Sequence, residues 1–308
     1  MQFRVIVGQE LTLKQMRAIE NSISSTFKTI NAVFNKWNPS SELSHLNHLK
    51  AGVESPLSPL LEHILLETDS LVKLSEGRFD PTIEPLQKLW KQNLQRDAVP
   101  SPNDIKLIGK AIGWDKIHIH GGIFYKDDDL TQLDLGGIAK GYGIDLIIEK
   151  LKGQGFDNLY VEWGGEIRTV GNHPHGRPWT IYISRLGESN PDHALKILEL
   201  KNQAIATSGD YLQNWTFKVI SADKKEKTAT FFHIFDPFTL HPLESTYFSI
   251  ASASVIAPTC ALADGLATTV MLFPSLEEAE NWTHRITEKI PGVSFFLFSR
   301  ESLNYINK

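Results

Sequence analysis

Asp264 and Thr268 lie four residues apart in the run APTCALADGLATTVMLF, residues 257–273, so on a helix they share one face. Pro258 suits the first turn of that helix. Nearly all their neighbours are small or apolar. A carboxylate in such surroundings is costly to desolvate unless a positive or hydrogen-bonding group compensates it, and a hard cation with a hydroxyl as second ligand would do so. The same pair also fits a plainer arrangement, with Asp264 capping a loop and Thr268 bonding back to its own helix.

A second run, LDLGGIAKGYGID at 133–145, reads as a strand end passing through Gly136 and Gly137 into a helix. Glycines at such a junction let backbone approach a ligand, first-turn amides attract phosphate, and Lys140 adds a positive charge. It matches neither the dinucleotide fingerprint nor the Walker pattern, and tight packing explains it too. In FHIFDPFT, 232–239, His233 sits on a strand running into a turn, where an imidazole can act as base or serve the structure. GRFDP at 77–81 could wrap a planar ligand, EWGGEI at 162–167 reads as strand, turn and strand, and TSGDY at 207–211 as a polar turn. Each is equally an ordinary turn. The pairs His118/His120 and His173/His175 would each lie on one face of a strand, but no cysteine or carboxylate pattern completes a zinc set around either.

These residues must be held by a chain of 308 residues, 41% hydrophobic and 22% charged, long enough for a large core without metal or disulfide staples. Cys260 is the one cysteine, so no internal disulfide forms and compartment stays open. With 31 Lys and Arg against 36 Asp and Glu, net charge is −5, which argues against nucleic acid as a partner. No run of about 18 apolar residues occurs, and the opening MQFRVIVGQE has no basic region followed by an apolar one. The expectation is neither a membrane protein nor an unprocessed secretory precursor.

Apolar residues at helical spacing predict helices over 11–34 and 57–74, with the Asn-, Pro- and Ser-rich stretch 35–42 as a turn between them. Short alternating runs from Trp114 onward read as strands, and a helix led by Ile144, Ile147 and Leu151 should stop at 153–155. Further strands are expected at 158–163, 179–184, 204–207, 228–235 and 247–256. Two helices broken near Pro274 should follow between 258 and 290, then a closing strand at 293–298. No repeat or linker interrupts the pattern, so the fold class is α+β, one domain over 1–308 with antiparallel strands and intertwined helices.

Taken in order, WNPSSELSHLN (37–47), GRFDP, LDLGGIAKGY, GGEIR (164–168), TSGDY, HIFDP (233–237) and APTCALAD resemble the ApbE family of flavin transferases over nearly the whole chain. The resemblance implies an ApbE-like domain that cleaves the pyrophosphate of FAD. Asp264 and Thr268 would ligate Mg²⁺ with a main-chain carbonyl at Gly137. His233 would take the proton of an attacking threonine hydroxyl. Asp134 and Lys140 would contact FAD, the loop Arg78-Phe79-Asp80 would border the flavin, and Trp37 falls where many family members place an aromatic residue over the isoalloxazine ring.

The implied activity is an Mg²⁺-dependent FAD:protein FMN transferase. It would attach FMN by a phosphoester to a threonine of an acceptor flavoprotein subunit and release AMP. The acceptor would belong to a membrane redox complex of the NADH:quinone reductase or Rnf type. The alternatives are an FAD pyrophosphatase giving FMN and AMP, and an FAD-binding protein without turnover. Family members are commonly exported, often as lipoproteins, whereas this chain begins inside what resembles their first strand; localisation stays open. Leu240 stands where the family usually has glycine after Asp-Pro-x-Thr, which bears on turn geometry.

Overall fold

Serine and threonine residues start most of the helices. Ser41, Ser58, Ser101, Thr259 and Ser275 each accept, through the side-chain oxygen, the amide of the residue three positions on. Each such cap is worth about 1 kcal/mol. The helices are α1 (Leu13–Val33), α2 (Glu42–His48), α3 (Pro59–Leu74), α4 (Glu84–Leu94), α5 (Pro102–Gly109), α6 (Ala139–Lys152), α7 (Cys260–Met271) and α8 (Leu276–Lys289). The strands are β1 (Phe3–Val7), β2 (Ser55–Pro56), β3 (Ile117–His120), β4 (Ile123–Lys126), β5 (Leu159–Trp163), β6 (Glu166–Val170), β7 (Trp179–Ile183), β8 (Lys196–Leu200), β9 (Ala204–Gly209), β10 (Asn214–Ile220), β11 (Glu226–Asp236), β12 (His241–Glu244), β13 (Ile250–Ala257) and β14 (Ser294–Ser299). This computed structural model describes residues 2–96, 98–184, 191–210, 214–220 and 226–300. Among them no helix is long and apolar enough to cross a membrane.

The chain forms two compact units, each assembled from separate segments. The first comprises Met1–Ile30, Ile138–Gly209 and Ser252–Phe298. Its six-stranded sheet runs β1-β5-β6-β9-β13-β14. The β1/β5, β5/β6, β6/β9 and β9/β13 pairs are antiparallel. Strand alternation divides the apolar residues between two faces. Tyr160, Ile167, Ile205 and Ile256 pack against Trp179, Ile181 and Leu200 of the β7–β8 hairpin. Val161, Ala206 and Val255 have the other parity, and α6 and α7 pack on β5, β6 and β9 and on each other.

The crossing of α6 and α7 is close enough to demand a glycine. A Cβ at Gly141 would lie 2.2 Å from the carbonyl oxygen of Cys260 and 2.8 Å from the amide of Ala261, both backbone atoms. At an open helical site Gly→Ala is worth about 1 kcal/mol in propensity. Here overpacking against backbone reverses the sign, so Gly141→Ala should destabilise the protein by about 1–3 kcal/mol in a denaturant titration. A stabilised variant would show that the crossing relaxes freely.

The second unit comprises Asn31–Gly137, Asp210–Ala251 and Ser299–Lys308. It contains the sheets β2-β4-β3 and β10-β11-β12. Leu86, Trp90 and Leu94 of α4 join Ile105, Ile112 and Phe235, with Trp215 and Leu240 at the edge. Leu240 takes a left-handed conformation at φ 60°. Glycine adopts that conformation without the steric cost a leucine bears. Its carbonyl accepts the Trp90 indole N–H at 3.3 Å, and its side chain fills the space a Cβ on Gly109 would occupy.

Lys126 is buried, its ammonium held by the carbonyls of Thr131 at 2.6 Å, Asn47 at 3.1 Å and Asp129 at 3.3 Å. Burial pushes its pKa down to about 8. Asn47 then grips Leu133 on both sides, its amide donating to the Leu133 carbonyl and its oxygen accepting the Leu133 N–H.

That grip corrects one expectation. Residues 133–135 are no strand: the Asn47 side chain, not a ladder, satisfies the Leu133 backbone, and the Asp134 N–H donates to the Pro81 carbonyl. Pro258 lies one residue before the cap Thr259 rather than in the first turn of α7. The strand expected from Tyr247 begins at Ile250, because Thr246 and Ser249 close a turn on each other. Thr207, Ser208 and Gly209 belong to β9 and not to a turn, while Tyr211 lies outside the described residues. His173 and His175 sit in a turn, with rings edge to face at 4.9 Å.

Candidate functional site

In the first unit the N-terminal turns of α6 and α7 carry a dense group of charges. Asp264 is 3% exposed and accepts the Gly141 amide, a first-turn donor of α6, at 3.1 Å. Lys140, the preceding residue, pairs with Glu166 at the start of β6. One Glu166 oxygen is buried and has no hydrogen-bond partner among the described residues. Burial and the Asp264 charge push the Glu166 carboxyl up to about 7, against the pull of Lys140. Burial likewise raises Asp264, opposed by Lys140 and the Gly141 amide. Burial alone would lower Lys140, but the two carboxylates outweigh it and the net shift is upward.

Two buried carboxylates thus face one ammonium. Thr268, one turn beyond Asp264 on α7, adds a half-buried hydroxyl 3.3 Å from that of Ser208. Among the described residues no three His, Cys, Asp or Glu side chains form a metal-holding group. A cation at Asp264 therefore has to draw on hydroxyl and carbonyl oxygens, which suits a hard ion and not zinc. The surplus negative charge and the orphaned Glu166 oxygen fit such an ion.

The second unit holds Trp37, Arg78, Phe79, Asp80, Asp134, Gly137 and His233. Trp37 is 67% exposed, with the ammonium groups of Lys36 and Lys91 at 4.9 and 5.0 Å from its ring centroid. Its indole is already engaged by cations, so a flavin stacking there must share or displace them. Asp134 binds Lys36 at 2.8 Å through one oxygen and the Gly136 amide at 2.8 Å through the other, while its own N–H donates to the Pro81 carbonyl. Lys36 also pairs with buried Glu84.

Arg78 lies over the exposed ring of Phe238, 5.6 Å from its centroid. Phe79 is buried, and Asp80 accepts both the amide and the hydroxyl of Thr82, so these two side chains build the loop itself. His233 is half-buried on β11 between buried Phe232 and Ile234.

Within its unit, the structure brings Lys140, Asp264 and Thr268 together; in the other, Asp134 and Trp37 meet through Lys36. Sequence reasoning missed Glu166, although GGEIR was singled out, and missed Lys36, Glu84 and Ser208. The signal for Glu166 was there. An acidic residue directly after two glycines of a hairpin, with Gly164 at φ 68° and Gly165 at φ 112°, begins a strand whose neighbours are buried.

The chain matches the model of the ApbE family over residues 2–293. It is 38% identical over 282 residues to an FAD:protein FMN transferase of Chlamydia pneumoniae, covering 91% of this chain and 84% of that one. An FAD:protein FMN transferase of Chlamydia trachomatis is likewise 38% identical over 285 residues, covering 92% and 84%. The solved structure of the flavin transferase ApbE from Vibrio cholerae superposes with a TM-score of 0.77 at 27% identity, over 98% of this chain and 94% of that one. With the α+β architecture and the ordered motifs already in place, this chain belongs to the ApbE family.

Proposed function

We propose that this protein is an Mg²⁺-dependent FAD:protein FMN transferase, acting as one catalytic domain over residues 1–308. The buried Asp264–Lys140–Glu166 group with Thr268 beside it carries the reading, and the names of its relatives agree with it. Asp264 and Thr268 would hold the cation, with a carbonyl at Gly137, two residues before α6. Bound there, Mg²⁺ supplies charge neutralisation at the pyrophosphate.

The chain's own residues account for the rest. With the cation answering the surplus carboxylate charge, Lys140 and the α6 first-turn amides other than that of Gly141 would add positive potential for phosphate oxygens. A threonine hydroxyl of the acceptor attacks the FMN-side phosphorus, a P–O bond forms, the anhydride P–O bond breaks, and AMP leaves. His233 takes the hydroxyl proton. In-line positioning and charge neutralisation are most of what phosphoryl transfer asks of a protein. Trp37, Arg78, Phe79, Asp80 and Asp134 are assigned to FAD by family position, with the indole as the cover that keeps water from the flavin side. The acceptor is a flavoprotein subunit of a membrane redox complex of the NADH:quinone reductase or Rnf type.

Incubation with FAD, Mg²⁺ and such a subunit should yield a fluorescent covalent flavoprotein and one AMP per flavin attached. FMN and AMP formed without any acceptor would instead identify a pyrophosphatase. FAD binding with no AMP at any Mg²⁺ concentration would identify a non-catalytic binder.

A further inference from the structure

The two helices that carry the charged group exchange backbone amides for carboxylates. On α6, Asp145 stands four residues after Gly141; on α7, Asp264 stands four residues after Cys260. The Gly141 amide donates to Asp264 at 3.1 Å. In return Asp145 accepts the Cys260 and Ala261 amides, both at 2.9 Å. Each helix therefore caps the other, and the missing Cβ of Gly141 lets the exchange close.

The two carboxylates differ in one respect. Asp145 is neutralised by Arg168 at 2.8 Å, and Arg168 reaches on to Glu149 at 3.0 Å. Among the described residues no guanidinium pairs with Asp264, which shares one ammonium with Glu166. The difference is one of burial: Arg168 shares its charge between Asp145 and an exposed Glu149, whereas Lys140 shares its charge between two buried carboxylates.

We propose that Asp145, locked by Arg168, is the positioning residue for Asp264: it fixes the start of α7 so that the Asp264 carboxylate is presented for the cation. The inference rests on the reading of Asp264 as a metal ligand. Asp145 touches neither cation nor substrate and acts only through the register of α7 against α6. Outer partners that orient a metal ligand are typically worth about 10- to 100-fold in metal affinity.

Cys260 gives a readout independent of metal and of activity. It is the only cysteine, fully buried, its amide is held by Asp145, and burial pushes its thiol pKa well up, so it should label slowly. Asp145→Asn should raise the rate of thiol labelling by about tenfold or more, as the start of α7 loosens. The same variant should weaken Mg²⁺ binding, measured by titration calorimetry, by about tenfold. Asp264→Asn should lose Mg²⁺ binding without raising the labelling rate.

The double variant Asp145→Asn/Arg168→Met removes the stranded guanidinium. It should regain melting temperature relative to Asp145→Asn but not Mg²⁺ affinity, a split that a merely structural role would not give. Should Asp145→Asn fail to fold, Arg168→Met alone should shift labelling and affinity in the same directions. Wild-type Mg²⁺ affinity in these variants, with or without faster labelling, would overturn the proposal alone. A wild-type protein that binds no Mg²⁺, with Asp264→Asn indifferent to it, would overturn the metal reading and the proposal with it.

Discussion

Asp264→Ala should reduce Mg²⁺-dependent FMN transfer by about 10²–10³-fold while leaving the chain folded. The activity loss follows from removing a charged ligand at the point where pyrophosphate charge must be neutralised. The tolerance of the fold follows from burial. Asp264 is 3% exposed and its carboxyl is raised by that burial, so the folded state holds this charge at a cost. What the substitution forfeits is one bond from the Gly141 amide and an attraction to Lys140 that Glu166 still provides. Removing one member of a group with surplus negative charge should leave melting within a few degrees of wild type or above it. The protection from heat that Mg²⁺ confers on the wild type should disappear in the variant. A variant that keeps its Mg²⁺-dependent rate would refute the metal assignment. One that unfolds would instead make Asp264 a structural helix partner.

Periodic apolar patterns carried the long elements well. α1, α3, α6 and the α7/α8 pair fall where helical spacing and turn residues place them: α1, α3 and α8 bury one face and repeat accordingly, while α7 is buried nearly all round and was marked by its run of small and apolar residues. α4 and α5 were missed. α5 is short and buries only Ile105, so it shows no period; α4 does carry Leu86, Trp90 and Leu94 at four-residue spacing, a signal that was passed over. Residues 133–135 misled for another reason: Asn47, 86 residues from Leu133 in sequence, gives Leu133 the partners that a strand neighbour would supply, and Pro81 accepts the Asp134 N–H. No local pattern can announce that.

The site divided in the same way. Asp264 and Thr268 were legible because one helix face carries both. Glu166 and Lys36 were not, since their importance comes from partners on distant segments: Lys140 and Asp264 for the first, Glu84 and Asp134 for the second. Gly141 was visible as part of a glycine-rich junction, but whether that junction served phosphate approach or helix packing could not be read from composition. The 2.2 Å approach to Cys260 shows that packing accounts for this particular glycine.

His233→Ala should slow transfer by about 10²–10⁴-fold and leave FAD affinity nearly unchanged. The imidazole sits half-buried on β11, within a strand whose adjacent residues Phe232 and Ile234 fix the backbone, so its loss does not remove core volume. Single-turnover measurement at saturating FAD isolates the step, and equilibrium titration of FAD fluorescence supplies the affinity. Binding and turnover falling together would make His233 a structural residue of the strand and move the role of base elsewhere.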